Sequence, residues 1–250
     1  MPKRQSRFTP EEIAADPRLE DESQDLWNPE LGDVDRGLLT SAVRCFAANG
    51  YHATTTRDIA AGVGLSPAAL YVHFPSKELV LFEIIRAGHE RALACIKDPA
   101  IEAAGDTAQQ LGAMVSRYTA WHARHHVAAR VCQYELAGLT PGHYDEIIQL
   151  RHLTNEVFRA TVEQGAVDGA FAAGDVNRLV RGMLSLSIDL VRWYRLDGPD
   201  SPEQLGDFYA ELALRMVMNK GSAEGSQRRR WAAAYGQVSP VNLDSASSSG

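Results

Sequence analysis

Residues 54–77 read TTTRDIAAGVGLSPAALYVHFPSK, and they concentrate side chains suited to holding a polyanion. Hydroxyl, imidazole and ammonium groups (Thr56, Ser66, Tyr71, His73, Lys77) alternate with the small residues Pro67, Ala68 and Ala69. Two helix starts are visible. Thr55 or Thr56 can cap one helix and Ser66 a second, with Pro67 in a first turn where a missing N–H costs nothing. Between them Gly64 supplies the backbone freedom of a sharp turn. Pro75 stops the second helix after His73. Two short helices joined by a glycine-containing turn make a helix-turn-helix, whose second helix enters the DNA major groove while the first crosses the backbone.

Other residues with chemical potential are less organised. Met114, Tyr118, Trp121 and His125 recur at spacings of four, three and four, one face of a helix that lines a cavity or packs a core. His122, His125 and His126 have helical metal-pair spacing, but no carboxylate or cysteine nearby completes a site, so no metal is expected. Glu135 lies among apolar neighbours, to face a pocket or to form a salt bridge with Arg151. No nucleophile–base–orienter set and no glycine-rich phosphate loop is present, which argues against an enzyme and against a bound cofactor.

The elements that must position these residues are all helical. Leu38, Leu39, Ala42, Val43, Phe46 and Ala47 predict a helix over 34–49, closed by Gly50. A longer helix is predicted over 76–97, capped by Ser76. Further helices are predicted over 106–125, 127–138, 142–168, 175–195 and 202–219, with glycine or proline breaks between them. No strand alternation persists, so the fold class is all-α.

The order Thr55-Thr56-Arg57-Asp58-Ile59-Ala60, Gly64, Leu70-Tyr71-Val72-His73-Phe74 and Ser76-Lys77-Glu78-Leu79 resembles the TetR family of transcriptional regulators. The resemblance implies an N-terminal three-helix DNA-binding domain over 33–78. It also implies a helical ligand-binding and dimerisation domain over 79–219, with its last two helices pairing in a homodimer. Thr56, Tyr71, His73 and Lys77 are then expected at the phosphate backbone. Ser66, Pro67, Ala68, Ala69 and Val72 are expected at base edges, where small residues and a valine suit thymine methyl groups. Arg44 and Arg57 are expected to add base or phosphate contacts. The stretch Val191-Arg192-Trp193-Tyr194-Arg195 before Gly198-Pro199 resembles a subgroup controlling lipid and sterol catabolism, whose effectors include CoA thioesters. The implied effector pocket takes Met114, Tyr118, Trp121, His125, Tyr134, Glu135, Phe158, Met183 and Ser187, with Arg192 at its mouth for a CoA phosphate or in an intersubunit salt bridge. An activator, or a regulator without a small-molecule effector, is the alternative.

Charge fits this division. The net charge of −7 argues against a general nucleic-acid coat. Residues 1–33 carry four Lys/Arg against nine Asp/Glu, and residues 34–97 carry seven against five. Relative positive charge therefore falls on the DNA-binding segment. Residues 1–32 and 220–250 read as disordered extensions, with Lys3, Arg4 and Arg7 as a candidate basic arm and Arg228-Arg229-Arg230-Trp231 as a second basic cluster. Cys45, Cys95 and Cys132 are widely spaced and read as reduced thiols of a cytoplasmic protein. No run is apolar enough to span a membrane.

Overall fold

The computed structural model describes residues 8–218 apart from 21, 103, 104 and 173; the basic arm, the Arg228–Trp231 cluster and the 220–250 tail lie outside the described residues. Among the described residues eleven α-helices follow one another: α1 Pro10–Ala14, α2 Asp33–Asn49, α3 Thr56–Ala61, α4 Pro67–His73, α5 Lys77–Ile96, α6 Pro99–Glu102, α7 Thr107–Arg124, α8 His126–Tyr134, α9 Pro141–Val167, α10 Val176–Asp189 and α11 Pro202–Val217. Among the described residues, extended pairing is limited to one isolated bridge between Phe171 and Met218.

The helix-turn-helix forms as its caps dictate. Thr55 caps α3 in a reciprocal box with Asp58, which leaves Thr56 as the first helical residue. Ser66 Oγ accepts from the Ala69 amide, and Pro67 opens α4. Gly64 has φ 71°, a conformation that a side chain would strain. Ile59, Ala60, Leu70 and Phe74 turn inward against Leu38, Leu39, Ala42 and Phe46 of α2. Ser41 Oγ donates to the Ile59 carbonyl at 2.8 Å and ties α2 to α3.

Helix α5 runs unbroken from the end of α4 into the second domain, packing against α7, α8 and α9 as well as α2. The longest contact is α7 along α11, with α10 beside both. Two predicted helices end early. The 127–138 helix closes at Tyr134 and continues as a 3-10 turn, Leu136–Gly138. The 175–195 helix closes at Asp189 before the turn Leu190–Arg192.

Residues 8–32 correct the expectation of disorder. Thr9 and Glu12 cap α1 reciprocally, and Asp16 caps the turn Pro17–Leu19. Ile13, Leu19, Leu26 and Trp27 are buried, with Trp27 Nε1 donating to Thr40 Oγ1 at 2.7 Å. Arg91 of α5 donates to the Leu26 carbonyl, and the Glu22 amide donates to the Arg124 carbonyl. This strap therefore touches α2, α5 and the end of α7. Its apolar residues follow no single period because its conformation is a series of short turns, each anchored by one side chain.

Candidate DNA-binding surface and regulatory cleft

The outer face of α4 is built from exposed residues. Val72 is 81% exposed and Tyr71 52%, while Leu70 between α4 and the core is fully buried. Ser66, Ala68 and His73 are exposed and Pro67 and Ala69 partly so. The Tyr71 hydroxyl lies 3.5 Å from Thr56 Oγ1, so the two expected phosphate contacts stand side by side. Arg57 is exposed on α3 in the same neighbourhood.

Two expected DNA contacts are engaged elsewhere, and a third lines a cavity. Lys77 Nζ donates to the carbonyls of Tyr51 and Thr54 at 2.7 and 2.8 Å and lies 4.2 Å from the Tyr51 ring centre. It braces the loop before α3; its ammonium turns toward the domain because three acceptors converge there. His73 Nδ1 lies 2.7 Å from Asp35 Oδ1, which places an acid beside the expected phosphate contact. Arg44 lines a cavity between α2 and the strap, together with Trp27, Gln24 and Thr40. A sequence reading that treats the strap as disordered has no partner for that face of α2.

The second domain holds an open cleft of about 700 Å³ between α9 and α10. Its walls include Arg151 and Arg159 from α9 and Arg181 from α10, and Tyr118 and His89 reach it from the core side. Arg151 donates to Gln133 at 3.0 Å, and Arg159 pairs with Glu156 and Glu163. Among the described residues Arg181 has no ion pair. His89 is 7% exposed, and its Nε2 has no hydrogen-bond partner among the described residues. Burial, reinforced by the Arg151 charge, lowers its pKa to about 3 and keeps the imidazole neutral. Burial likewise pushes the Tyr118 phenol up, so it remains a neutral donor.

Of the expected effector residues, Tyr118 and Tyr134 line this cleft. Met114, Phe158 and Met183 are buried in the main core, and Trp121 is 9% exposed against His122 and His125. In this structure they pack in the core. Ser187 Oγ meets Thr119 Oγ1 at 3.0 Å, a buried polar pair. Glu135 is neither a cleft residue nor a partner of Arg151: its Oε2 accepts from the Tyr51 amide at 3.2 Å, joining the two domains. Arg192 is exposed and pairs with Asp189 on its own turn. Arg192 does not itself line the cleft, but Asp189, which holds its guanidinium, does. His122 and His126 direct Nδ1 at the carbonyls of Tyr118 and Ala123, so the histidine cluster serves the turn between α7 and α8.

His89, Arg159 and Arg181 were not singled out in the sequence, and Arg151 was named only as a partner for Glu135. One signal was available: Ile85, His89, Ala92 and Ile96 share a helical stripe, and His89 is its lone polar member. Cys45 and Cys132 are buried, and burial raises the Cys95 pKa to about 12, which leaves a protonated thiol.

Comparison with known proteins identifies the family. Residues 38–84 match the profile of bacterial regulatory proteins of the tetR family, and residues 104–217 match the tetracyclin repressor-like C-terminal domain. The HTH-type transcriptional repressor KstR2 of Mycobacterium tuberculosis is 30% identical over 186 residues, 74% of this chain and 92% of KstR2. The structure of KstR2 as a ketosteroid transcriptional regulator superposes with a TM-score of 0.71, at 26% identity over 76% of this chain and 98% of that one. A tetR-family regulatory protein from Rhodococcus RHA1 gives a TM-score of 0.68 at 38% identity, over 75% of this chain and 98% of that one. The regulator AibR, solved with isovaleryl coenzyme A and operator DNA, shares the fold with a TM-score of 0.63 at 20% identity, over 71% of this chain and 96% of that one. With its recognition helix exposed, its helical second domain matched and its length largely spanned by KstR2, the chain belongs to the TetR family of DNA-binding transcriptional regulators.

Proposed function

We propose that this protein is a homodimeric repressor released from operator DNA by an anionic, partly apolar effector such as an acyl-CoA thioester, bound between α9 and α10. The observation that carries the effector reading is the physical link along α5. Lys77 at its start braces the helix-turn-helix, and His89, twelve residues on, reaches the cleft. At 1.5 Å per residue the two points are about 18 Å apart on one rigid element. A ligand that displaces His89 tilts α5 and moves α4. The ligand changes DNA affinity by its differential affinity for the two tilts.

The three cleft arginines supply the anion contacts, and among the described residues the Arg181 guanidinium has neither an ion pair nor a hydrogen bond to give up. They take the place that the sequence reading assigned to Arg192. KstR2 is a repressor by name, and AibR holds isovaleryl coenzyme A. The first supports repression, and the ligand of the second has phosphate groups and a short acyl body.

Fluorescence anisotropy on DNA from the protein's own upstream region tests this reading, with CoA thioesters added beside CoA and the matching free acids. The expected result is salt-sensitive binding reversed by some thioesters. Arg181→Ala is expected to raise the concentration of thioester needed by about tenfold, the scale of one charge-assisted contact, without changing DNA affinity alone. Thioester release that is the same in Arg181→Ala as in wild type would remove the cleft from the mechanism. Binding that no ligand reverses would leave a regulator without this effector class.

A further inference from the structure

We propose that the cavity between the strap and α2 is a second ligand site, separate from the cleft between α9 and α10. It takes a small carboxylic acid with an apolar body and acts on the helix-turn-helix directly.

The cavity holds about 350 Å³. That is the small end of the range that ligand sites occupy. One wall is the strap, through Ile13, Ala14 and Trp27. The other is α2 and the turn between α3 and α4, through Arg44 and Val63. Both walls are set without a ligand. Ser41 Oγ donates to the Ile59 carbonyl, and a side chain on Gly62 would collide with that hydroxyl. Trp27 is fixed by its hydrogen bond to Thr40 Oγ1, which itself donates to the Arg36 carbonyl at 2.9 Å. Ile13 and Trp27 offer an apolar body a surface away from water.

Polar groups decide the charge of the ligand. The Thr40 and Ser41 hydroxyls are already engaged, and Arg36 pairs with Asp33 and donates to the Pro29 carbonyl. Arg44 differs. Among the described residues its half-buried guanidinium has neither an ion pair nor a hydrogen bond. A guanidinium fork with its bonds unmade matches a carboxylate bidentately. Gln24 lines the same cavity with an amide that can donate to the same group. No carboxylate lines this cavity among the described residues. An adjoining cavity of about 310 Å³ shares Gln24, Thr40 and Arg44 and adds Glu20 and Leu196. Glu20 repels an acid there, so the ligand's carboxylate stays at Arg44 and its body lies toward Trp27. The first cavity equals about a dozen waters at roughly 30 Å³ each, room for one ring and its carboxylate and too little for a coenzyme.

The position of the site gives it a consequence for DNA. The strap receives Arg91 of α5 at the Leu26 carbonyl and donates from the Glu22 amide to the end of α7. A ligand that joins the strap to Val63 therefore ties the turn of the helix-turn-helix to helices of the second domain. Operator affinity then depends on the acid by a route that bypasses the α9–α10 cleft.

The test titrates benzoate and hexanoate, each beside its primary amide, into the full chain by calorimetry. At least one acid is expected to bind with a Kd on the order of 1 mM or below, and its amide about tenfold more weakly or worse. Arg44→Gln should erase the difference between acid and amide. Ala14→Phe, which fills the cavity from its exposed rim and leaves Arg44 in place, should lose both. In anisotropy on operator DNA, the saturating acid should shift wild-type affinity by about fivefold or more, and the amide at the same concentration should not. Acids that bind wild type no better than their amides would overturn the site, as would acid binding undiminished in both variants. Acid bound through Arg44 with no shift in operator affinity would overturn its action on the helix-turn-helix.

Discussion

Two imidazoles in the regulatory domain are kept neutral by their surroundings. Burial holds the His89 pKa at about 3 and the His122 pKa at about 4, both well below the ordinary value of 6.5. The unfolded chain binds protons at these histidines below about pH 6.5, whereas the folded chain does so only below about 4 and 3. Between those limits the unfolded state carries more protons, so stability falls as pH falls. Each imidazole contributes a slope of about 1.4 kcal/mol per pH unit once the window is fully entered. Urea unfolding at pH 7 and pH 5 should show this loss, and His89→Gln should remove about half of the histidine part of it. A pH dependence identical in the variant would mean that His89 titrates normally. The same neutrality matters to function, since a charged His89 would repel the arginines that frame the cleft.

Elements explain why some of this architecture was legible in sequence and some was not. The helix-turn-helix could be located because caps, a turn glycine and a terminating proline act locally: Thr55, Ser66, Gly64 and Pro75 each decide their own few residues. The positions of the long helices followed from apolar stripes. The strap escaped because its stabilising contacts are long-range; Trp27 finds Thr40, and Leu26 finds Arg91, only once α2 and α5 are packed. The cleft escaped for a related reason. The Met114–Tyr118–Trp121 stripe has the same period whether it faces a cavity or a core, and only tertiary packing separated Tyr118 from its neighbours. The strap's energetic role can be measured. Trp27 is 3% exposed, so Trp27→Ala should cost about 3–5 kcal/mol through the cavity it leaves and the apolar burial it removes. Trp27→Phe should cost less, chiefly the Thr40 hydrogen bond at about 1 kcal/mol. Chemical denaturation would separate them; equal, negligible costs would mean the strap is dispensable to the fold.

For the whole molecule, the problem is how a chain of net charge −7 binds a polyanion. Its helix-turn-helix offers few cations, and Lys77 is already engaged. Affinity must therefore come from joining two such surfaces, and the structure presents a face for doing so. Leu186 on α10 is 44% exposed, and Phe208 and Met216 on α11 are 48% and 38% exposed. Phe208, Leu212 and Met216 recur every fourth residue, one stripe of α11 opposite the side that packs on α7. Two copies meeting there would form a four-helix bundle and set two recognition helices for half-sites one helical turn apart, about 34 Å. The second helix would then bind as an intramolecular event, which raises overall affinity by about 10²–10⁴ without a new contact. Phe208→Arg adds two like charges at the centre of that symmetric face. It should yield a monomer in sedimentation velocity and weaken operator binding by about 10²-fold or more. Binding to DNA carrying a single half-site should change little. A variant that stays dimeric and keeps full operator affinity would place the interface elsewhere. A variant that is monomeric yet binds the full operator as tightly as wild type would show that one subunit suffices.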